Sequence, residues 1–240
     1  MMPQQQQSVC KIIKPSDNIF TKRQIKGAQY IEILDKVRRI AYFQKQNQIS
    51  QGIKGFVFHG PVGIGKTVCS KAVANDLGAT LLFVDGADIA RKFYGESESQ
   101  ISHIFDEAKK HGFVVILIDD AESVFPTRDW QKSESWHFAQ NNVFFHHLDN
   151  IDTSKIVVIL TTNRFDLIDK AVKDRLYCIE FPLPLKETLT GIAEYKCGQL
   201  KMDPASVNAI IEKGNLNSVR ELEKVIMETY IEDVLRRTTV

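Results

Sequence analysis

Between Gly52 and Pro182 short apolar runs alternate with stretches in which apolar residues recur every three or four positions. The runs Phe56 to Phe58, Thr80 to Val84, Phe113 to Ile118, Ile156 to Leu160 and Ile179 to Phe181 are rich in β-branched and aromatic residues and too short for helices, so they predict buried strands. Val68, Cys69, Ala72, Val73 and Leu77 predict a helix after the first strand, stopped by Gly78. Ile101, Ile104, Phe105 and Ala108 predict another, and Ala139, Val143, Phe144 and Leu148 a third. Ahead of the first strand, Tyr30, Ile33, Leu34, Val37, Ile40 and Ala41 give one more helical stripe. Such alternation is the signature of an α/β fold, here a five-stranded parallel sheet covered on both faces.

After Pro182 and Pro184 the pattern becomes entirely helical, with pieces at Glu187 to Leu200, Asp203 to Lys213 and Ser218 to Arg236. A boundary therefore falls near Leu185, separating an α/β domain (residues 19–184) from a small all-helical one (185–240). Residues 1–18, with Gln4 to Gln7 in a row, read as a loose tail.

Composition narrows the classes of partner. The 31 basic and 30 acidic residues nearly cancel, which gives no electrostatic footprint for nucleic acid or an anionic membrane surface. Four scattered cysteines without a C-x-x-C pair suit a reducing compartment and packing roles. No run reaches membrane-spanning length and the N-terminus lacks a signal-peptide pattern, so a cytoplasmic protein is expected.

Chemistry enters at Gly60-Pro61-Val62-Gly63-Ile64-Gly65-Lys66-Thr67, which fits G-x-x-x-x-G-K-[ST] between a predicted strand and a predicted helix. That context makes the pattern a phosphate-binding loop. Gly60 and Gly65 permit dihedrals that a β-carbon forbids, so the backbone N–H groups between Gly60 and Val68, Pro61 having none, can converge on phosphate oxygens at the positive end of the helix. Lys66 is expected to reach the β- and γ-phosphates and Thr67 to hold Mg²⁺. The third strand ends in Asp119-Asp120, two carboxylates at the edge where parallel sheets place ligands. Asp119 is expected to organise Mg²⁺ and Asp120 to polarise the attacking water.

From this point the order of motifs resembles the AAA+ ATPases, most closely their protein-remodelling clade, over nearly the whole chain. The run Thr161-Thr162-Asn163-Arg164-Phe165-Asp166 resembles sensor 1, which implies that Asn163 positions the lytic water or the γ-phosphate. Asp169 to Arg175 resembles the arginine-finger segment, which implies that Arg175 acts on ATP in a neighbouring subunit. Ser218-Val219-Arg220-Glu221-Leu222 resembles sensor 2, with Arg220 touching ATP from a helical lid. Gln24-Ile25-Lys26-Gly27 resembles the segment packed on adenine, implicating Ile25 and Gly27. Arg91 to Glu98 is similar to the first pore loop of hexameric unfoldases, in which Phe93 and Tyr94 would grip an extended polypeptide. The resemblance implies ATP and Mg²⁺ as ligands, a homo- or hetero-hexameric ring, and a protein substrate brought by an adaptor.

Departures from that pattern are as informative. Asp120 stands where most members carry Glu, which retracts the carboxylate by a methylene and predicts slow hydrolysis. Asp174-Arg175 replaces a pair of arginines, and Val62 and Ile64 replace the usual Pro and Thr at backbone-donor positions. Glu122 is a candidate substitute for Asp120, but two residues further on it is expected to point elsewhere. Two other functions fit parts of the pattern: an assembly scaffold that binds ATP and turns it over little, favoured by Asp120 and Asp174, and a nucleic-acid motor or loader, opposed by the charge balance. His137, His146 and His147 lack metal spacing, and Trp130 and Trp136 flank a polar loop.

Overall fold

A computed structural model describes residues 10–90, 96–127, 136–214 and 216–238. Among the described residues six strands form one sheet: β1 (Lys11–Ile13), β2 (Gly55–His59), β3 (Thr80–Asp85), β4 (Val114–Asp119), β5 (Ile156–Thr162) and β6 (Tyr177–Glu180). Their spatial order is β1-β3-β4-β5-β2-β6. The last five are parallel wherever they adjoin, and they are the five strands expected. β1 is an addition, because residues 1–18 were expected to be loose. Lys11, Ile12 and Ile13 pair antiparallel with Phe83, Leu82 and Leu81. As an edge strand with two exposed residues it carries no apolar alternation, and it exists because the backbone of β3 offers unpaired groups.

The helices are α1 (Ala28–Gln46), α2 (Lys66–Asp76), α3 (Gly86–Ala90), α4 (Glu96–Ala108), α5 (Trp136–Asp149), α6 (Lys170–Arg175), α7 (Lys186–Leu200), α8 (Ala205–Glu212) and α9 (Val219–Thr238). Alternate strand residues face opposite ways, and both faces are covered. Leu82, Ile116, Val158 and Leu160 pack with Phe105 and Phe144 of α4 and α5. Leu81, Val115, Leu117 and Ile159 pack with Val37 of α1 and Val73 of α2. Each such aliphatic side chain stabilises the fold by about 1.5–3 kcal/mol relative to exposure, so these strands form the rigid centre.

Helices α7 to α9 enclose a separate, smaller core that includes Leu189, Ile192, Cys197, Val207, Leu222 and Ile226. Few contacts tie it to the sheet domain. Within the sheet domain the Tyr30 hydroxyl donates to the Pro182 carbonyl at 2.8 Å, and across the boundary the Arg220 N–H donates to the Gly63 carbonyl at 3.1 Å. Burial of the Tyr30 phenol raises its pKa well above the usual range. Among the described residues no helix is long and apolar enough to cross a membrane.

The sheet order positions the chemistry. β5 lies between β2 and β4, so the residues leaving β5 stand between the loop after β2 and the acids after β4. Sequence order alone would not place them there.

Candidate nucleotide-binding site

The chain leaves β2 at His59, turns through Gly60 to Gly65, and enters α2 at Lys66. Gly65 is the residue before the helix and has φ +99°, a left-handed conformation that strains any residue with a β-carbon. Among the described residues none accepts a hydrogen bond from the backbone N–H of Val62, Gly63, Ile64 or Gly65. Those donors, together with the unpaired first turn of α2, form an anion-binding end.

Lys66 is only 6% exposed, yet its ammonium avoids the apolar core. It donates to the Gly60 carbonyl at 2.9 Å, the Pro61 carbonyl at 2.7 Å and Asn163 Oδ1 at 2.8 Å. Burial lowers its pKa to about 8, against the pull of Glu122, Asp119 and Asp120, so it remains mostly protonated at neutral pH. One residue on, the Thr67 hydroxyl donates to Asp119 Oδ1 at 2.7 Å, and Thr161 makes a short hydrogen bond to the same oxygen. A hydroxyl beside a carboxylate is an all-oxygen donor set, which suits a hard cation such as Mg²⁺.

Asp120 follows β4 in a left-handed conformation, φ +50°. Its carboxyl accepts from Asn163 Nδ2 at 3.2 Å. Its pKa is raised, first by burial and then by Asp119, Glu122 and Asp85, with Lys66 opposing. Two residues that sequence reasoning did not assign to the site shape this turn. Gly86, just after β3, lets the backbone of Asp119 and Asp120 approach: a β-carbon there would lie 2.7 and 2.6 Å from their carbonyl oxygens. The signal was a glycine directly following a strand. Glu122 does not point elsewhere. The left-handed turn at Asp120 starts a short 3₁₀ segment (Ala121–Ser123), which brings Glu122 Oε1 within 3.4 Å of the Asn163 backbone N–H.

A cleft of about 410 Å³ connects these groups, lined among others by Val62, Gly63, Lys66, Thr67, Asp119 and Arg220. Arg220 enters from the first turn of α9, where its β-carbon comes so near the loop that a β-carbon on Gly63 would lie 2.9 Å away. A second cavity of about 220 Å³ adjoins it, with Ile25, Tyr30, Ile64, Val68, Ile192 and Tyr195 in its walls. Its walls are mainly apolar. Gly27 stands outside both cavities. It precedes α1 with φ +89°, and a β-carbon there would clash with the Thr188 hydroxyl of α7 at 2.2 Å, so its evident requirement is close approach of the helical domain.

The chain matches the ATPase family associated with various cellular activities (AAA) over residues 56–183, more than half its length. It belongs to that family. The AAA chain is 37% identical over 150 residues to the cell division cycle protein 48 homolog of Archaeoglobus fulgidus, which covers 59% of this chain and 20% of that protein. It is 30% identical over 185 residues to the 26S proteasome regulatory subunit 8 homolog B of Arabidopsis thaliana, covering 73% of this chain and 44% of the relative. It is 32% identical over 156 residues to proteasome-activating nucleotidase 2 of Halobacterium salinarum, covering 62% and 38%. The chain therefore spans less than half the length of these relatives.

Arg175 is not among the residues that line the AAA cleft. Arg175 ends α6, donates to Asp149 Oδ2 at 3.3 Å and lies 4.6 Å from the centre of the Phe145 ring. Asp149 also holds Lys54 at 2.6 Å. Phe93 and Tyr94 lie outside the described residues.

Proposed function

We propose that this chain binds Mg-ATP and couples its hydrolysis to the remodelling of a protein substrate within a ring of subunits. The observation that carries the reading is the convergence of Lys66, Thr67, Asp119, Asp120 and Asn163 from three strand ends into one cleft closed by Arg220 of the helical lid. The names of the relatives, a cell division cycle protein 48 homolog, a 26S proteasome regulatory subunit and a proteasome-activating nucleotidase, favour a protein substrate over a nucleic acid.

Backbone donors of the loop would bind the phosphates, and Lys66 would exchange an internal acceptor for a phosphate oxygen. Thr67 and Asp119 would hold Mg²⁺, which neutralises phosphate charge when bound. Asp120 would take a proton from the attacking water, and Asn163 would orient it. Arg220 connects the state of the cleft to the lid, whose few contacts with the sheet domain suit rotation about residues 182–185.

Arg175 does not line its own cleft, so any role at a nucleotide is in the next subunit. Its hold on Asp149 is an exposed ion pair, worth about 0–1 kcal/mol, which makes release cheap. Arg175→Ala is therefore expected to lower turnover at least tenfold while changing ATP affinity little. Mixing Arg175→Ala subunits with Lys66→Ala subunits is expected to restore part of the activity. Activity independent of mixing and of protein concentration would argue for a monomeric enzyme.

The coupling itself is tested at Phe93 and Tyr94, proposed to grip the client in the ring's pore. Alanine at both is expected to leave ATP binding intact and to abolish unfolding of a destabilised model client, measured beside ATP turnover. Loss of the oligomer in the same variant would make these aromatics assembly contacts and remove the threading reading. Tight binding with negligible turnover in the unaltered chain would favour an assembly scaffold instead.

A further inference from the structure

Glu122 is a third carboxylate in the site, and neither the phosphate loop nor the acid pair accounts for it. It lies on the short 3₁₀ segment after Asp120 and turns inward. Oε1 accepts the Asn163 backbone N–H at 3.4 Å. Oε2 is enclosed, with no hydrogen-bond partner among the described residues. A buried carboxylate oxygen without a donor costs free energy, so Glu122 is not an ordinary solvated acid.

Asn163 is the junction that makes this placement matter. Its side-chain oxygen accepts from Lys66 at 2.8 Å, and its amide nitrogen donates to Asp120 at 3.2 Å. The side chain thus bridges the phosphate-binding cation and the water-activating acid. That bridge has one geometry only if the backbone carrying it is fixed. Asn163 directly follows β5, beyond the last sheet pairing, Thr162 with His59. Glu122 supplies the anchor there.

We propose that Glu122 is a positioning residue for hydrolysis, holding the Asn163 backbone so that the Asn163 amide spans Lys66 and Asp120. The length of the side chain matters. Removing one methylene would withdraw the carboxylate by about 1.5 Å from an already long contact and break it. What the position needs is an acceptor at glutamate length, with or without the negative charge. Glu122 does not line the cleft and does not act as the base. The inference rests on the ATPase reading above, and its test is built to fail separately.

The experiment compares Glu122→Gln, Glu122→Asp and Glu122→Ala in the full chain, by ATP turnover, ATP affinity and hydrogen exchange of the Asn163 backbone amide in ¹⁵N-labelled protein. Gln keeps the acceptor and the length; Asp keeps the charge and loses the reach. Glu122→Gln is expected to retain most of the turnover. Glu122→Asp and Glu122→Ala are expected to lose at least tenfold in kcat with KM and ATP affinity within about twofold, and to speed exchange at Asn163 about tenfold or more. Adding Glu122→Ala to Asn163→Ala is expected to cost little further, because both act through one group. The proposal is overturned if Glu122→Asp turns over like the unaltered chain, if Glu122→Gln fails like Glu122→Ala, or if the double variant shows additive losses. Should Glu122→Ala not fold, the Gln and Asp pair still decides. Should the unaltered chain hydrolyse no ATP, the ATPase reading falls, while Asn163 exchange in the same variants still judges the anchor.

Discussion

Replacing Lys66 with alanine is expected to abolish ATP binding and leave the fold standing. The side chain sits in the first turn of α2 and is almost fully buried, a combination that ordinarily signals a structural role. Its contacts say otherwise. All three hydrogen bonds of the ammonium go to groups of the cleft itself: two carbonyls of the loop and the amide of Asn163. Water can replace the lysine at each of them, and alanine is the best helix former. Binding has no such substitute. A charge-assisted hydrogen bond contributes about 1.5–3 kcal/mol, and two to phosphate oxygens would amount to roughly a hundredfold or more in affinity. The loss is compounded because Asp119 and Asp120 would face the phosphates without their neighbouring cation. Calorimetric titration with ATP, beside circular dichroism and thermal melting, checks both halves. Undiminished affinity in a natively folded variant would refute the phosphate-loop assignment.

The parts of this structure that were legible in the sequence are those fixed by burial or by covalent order. β2 to β5 were readable because both of their faces are covered, which leaves nearly uninterrupted apolar runs. The loop from Gly60 to Thr67 was readable because its geometry is contained within eight consecutive residues. β1 was not, since only its neighbour β3 makes Lys11 to Ile13 a strand. The convergence of Asn163 with Lys66 and Asp120 depends on β5 lying between β2 and β4, a property of the sheet. Glu122 was missed for a local reason. Counting two residues on from Asp120 assumes an extended chain, but β4 stops at Asp119 and the left-handed Asp120 swings the next residues back toward Asn163. Gly27 was placed at the base by resemblance, whereas its φ and the approach of Thr188 explain its glycine without any ligand.

Asp120→Asn is expected to bring hydrolysis almost to a halt while ATP still binds. The substitution is unusually clean at this position. Asp and Asn are among the few residues with a β-carbon that tolerate φ near +50°, so the turn after β4 keeps its conformation. The asparagine oxygen can still accept from Asn163, which preserves the contact seen at 3.2 Å. What disappears is a carboxylate whose pKa is raised by burial and by the charges of Asp119, Glu122 and Asp85. Raising it makes the carboxylate a stronger base, and a placed general base contributes about 10²- to 10⁴-fold to rate. Removing a negative charge beside the phosphates gives no reason for affinity to fall. Asp120→Glu changes the opposite balance. It restores the missing methylene, at a cost of about 1–2 kcal/mol for holding the longer side chain in a left-handed turn. Its turnover is expected to equal or exceed that of the unaltered chain, with slightly reduced thermal stability. Single-turnover hydrolysis and ATP affinity, measured for both variants on the same preparations, provide the check. Full turnover by the Asn variant would take the base away from position 120 and leave Asp120 as a partner of Asn163 alone.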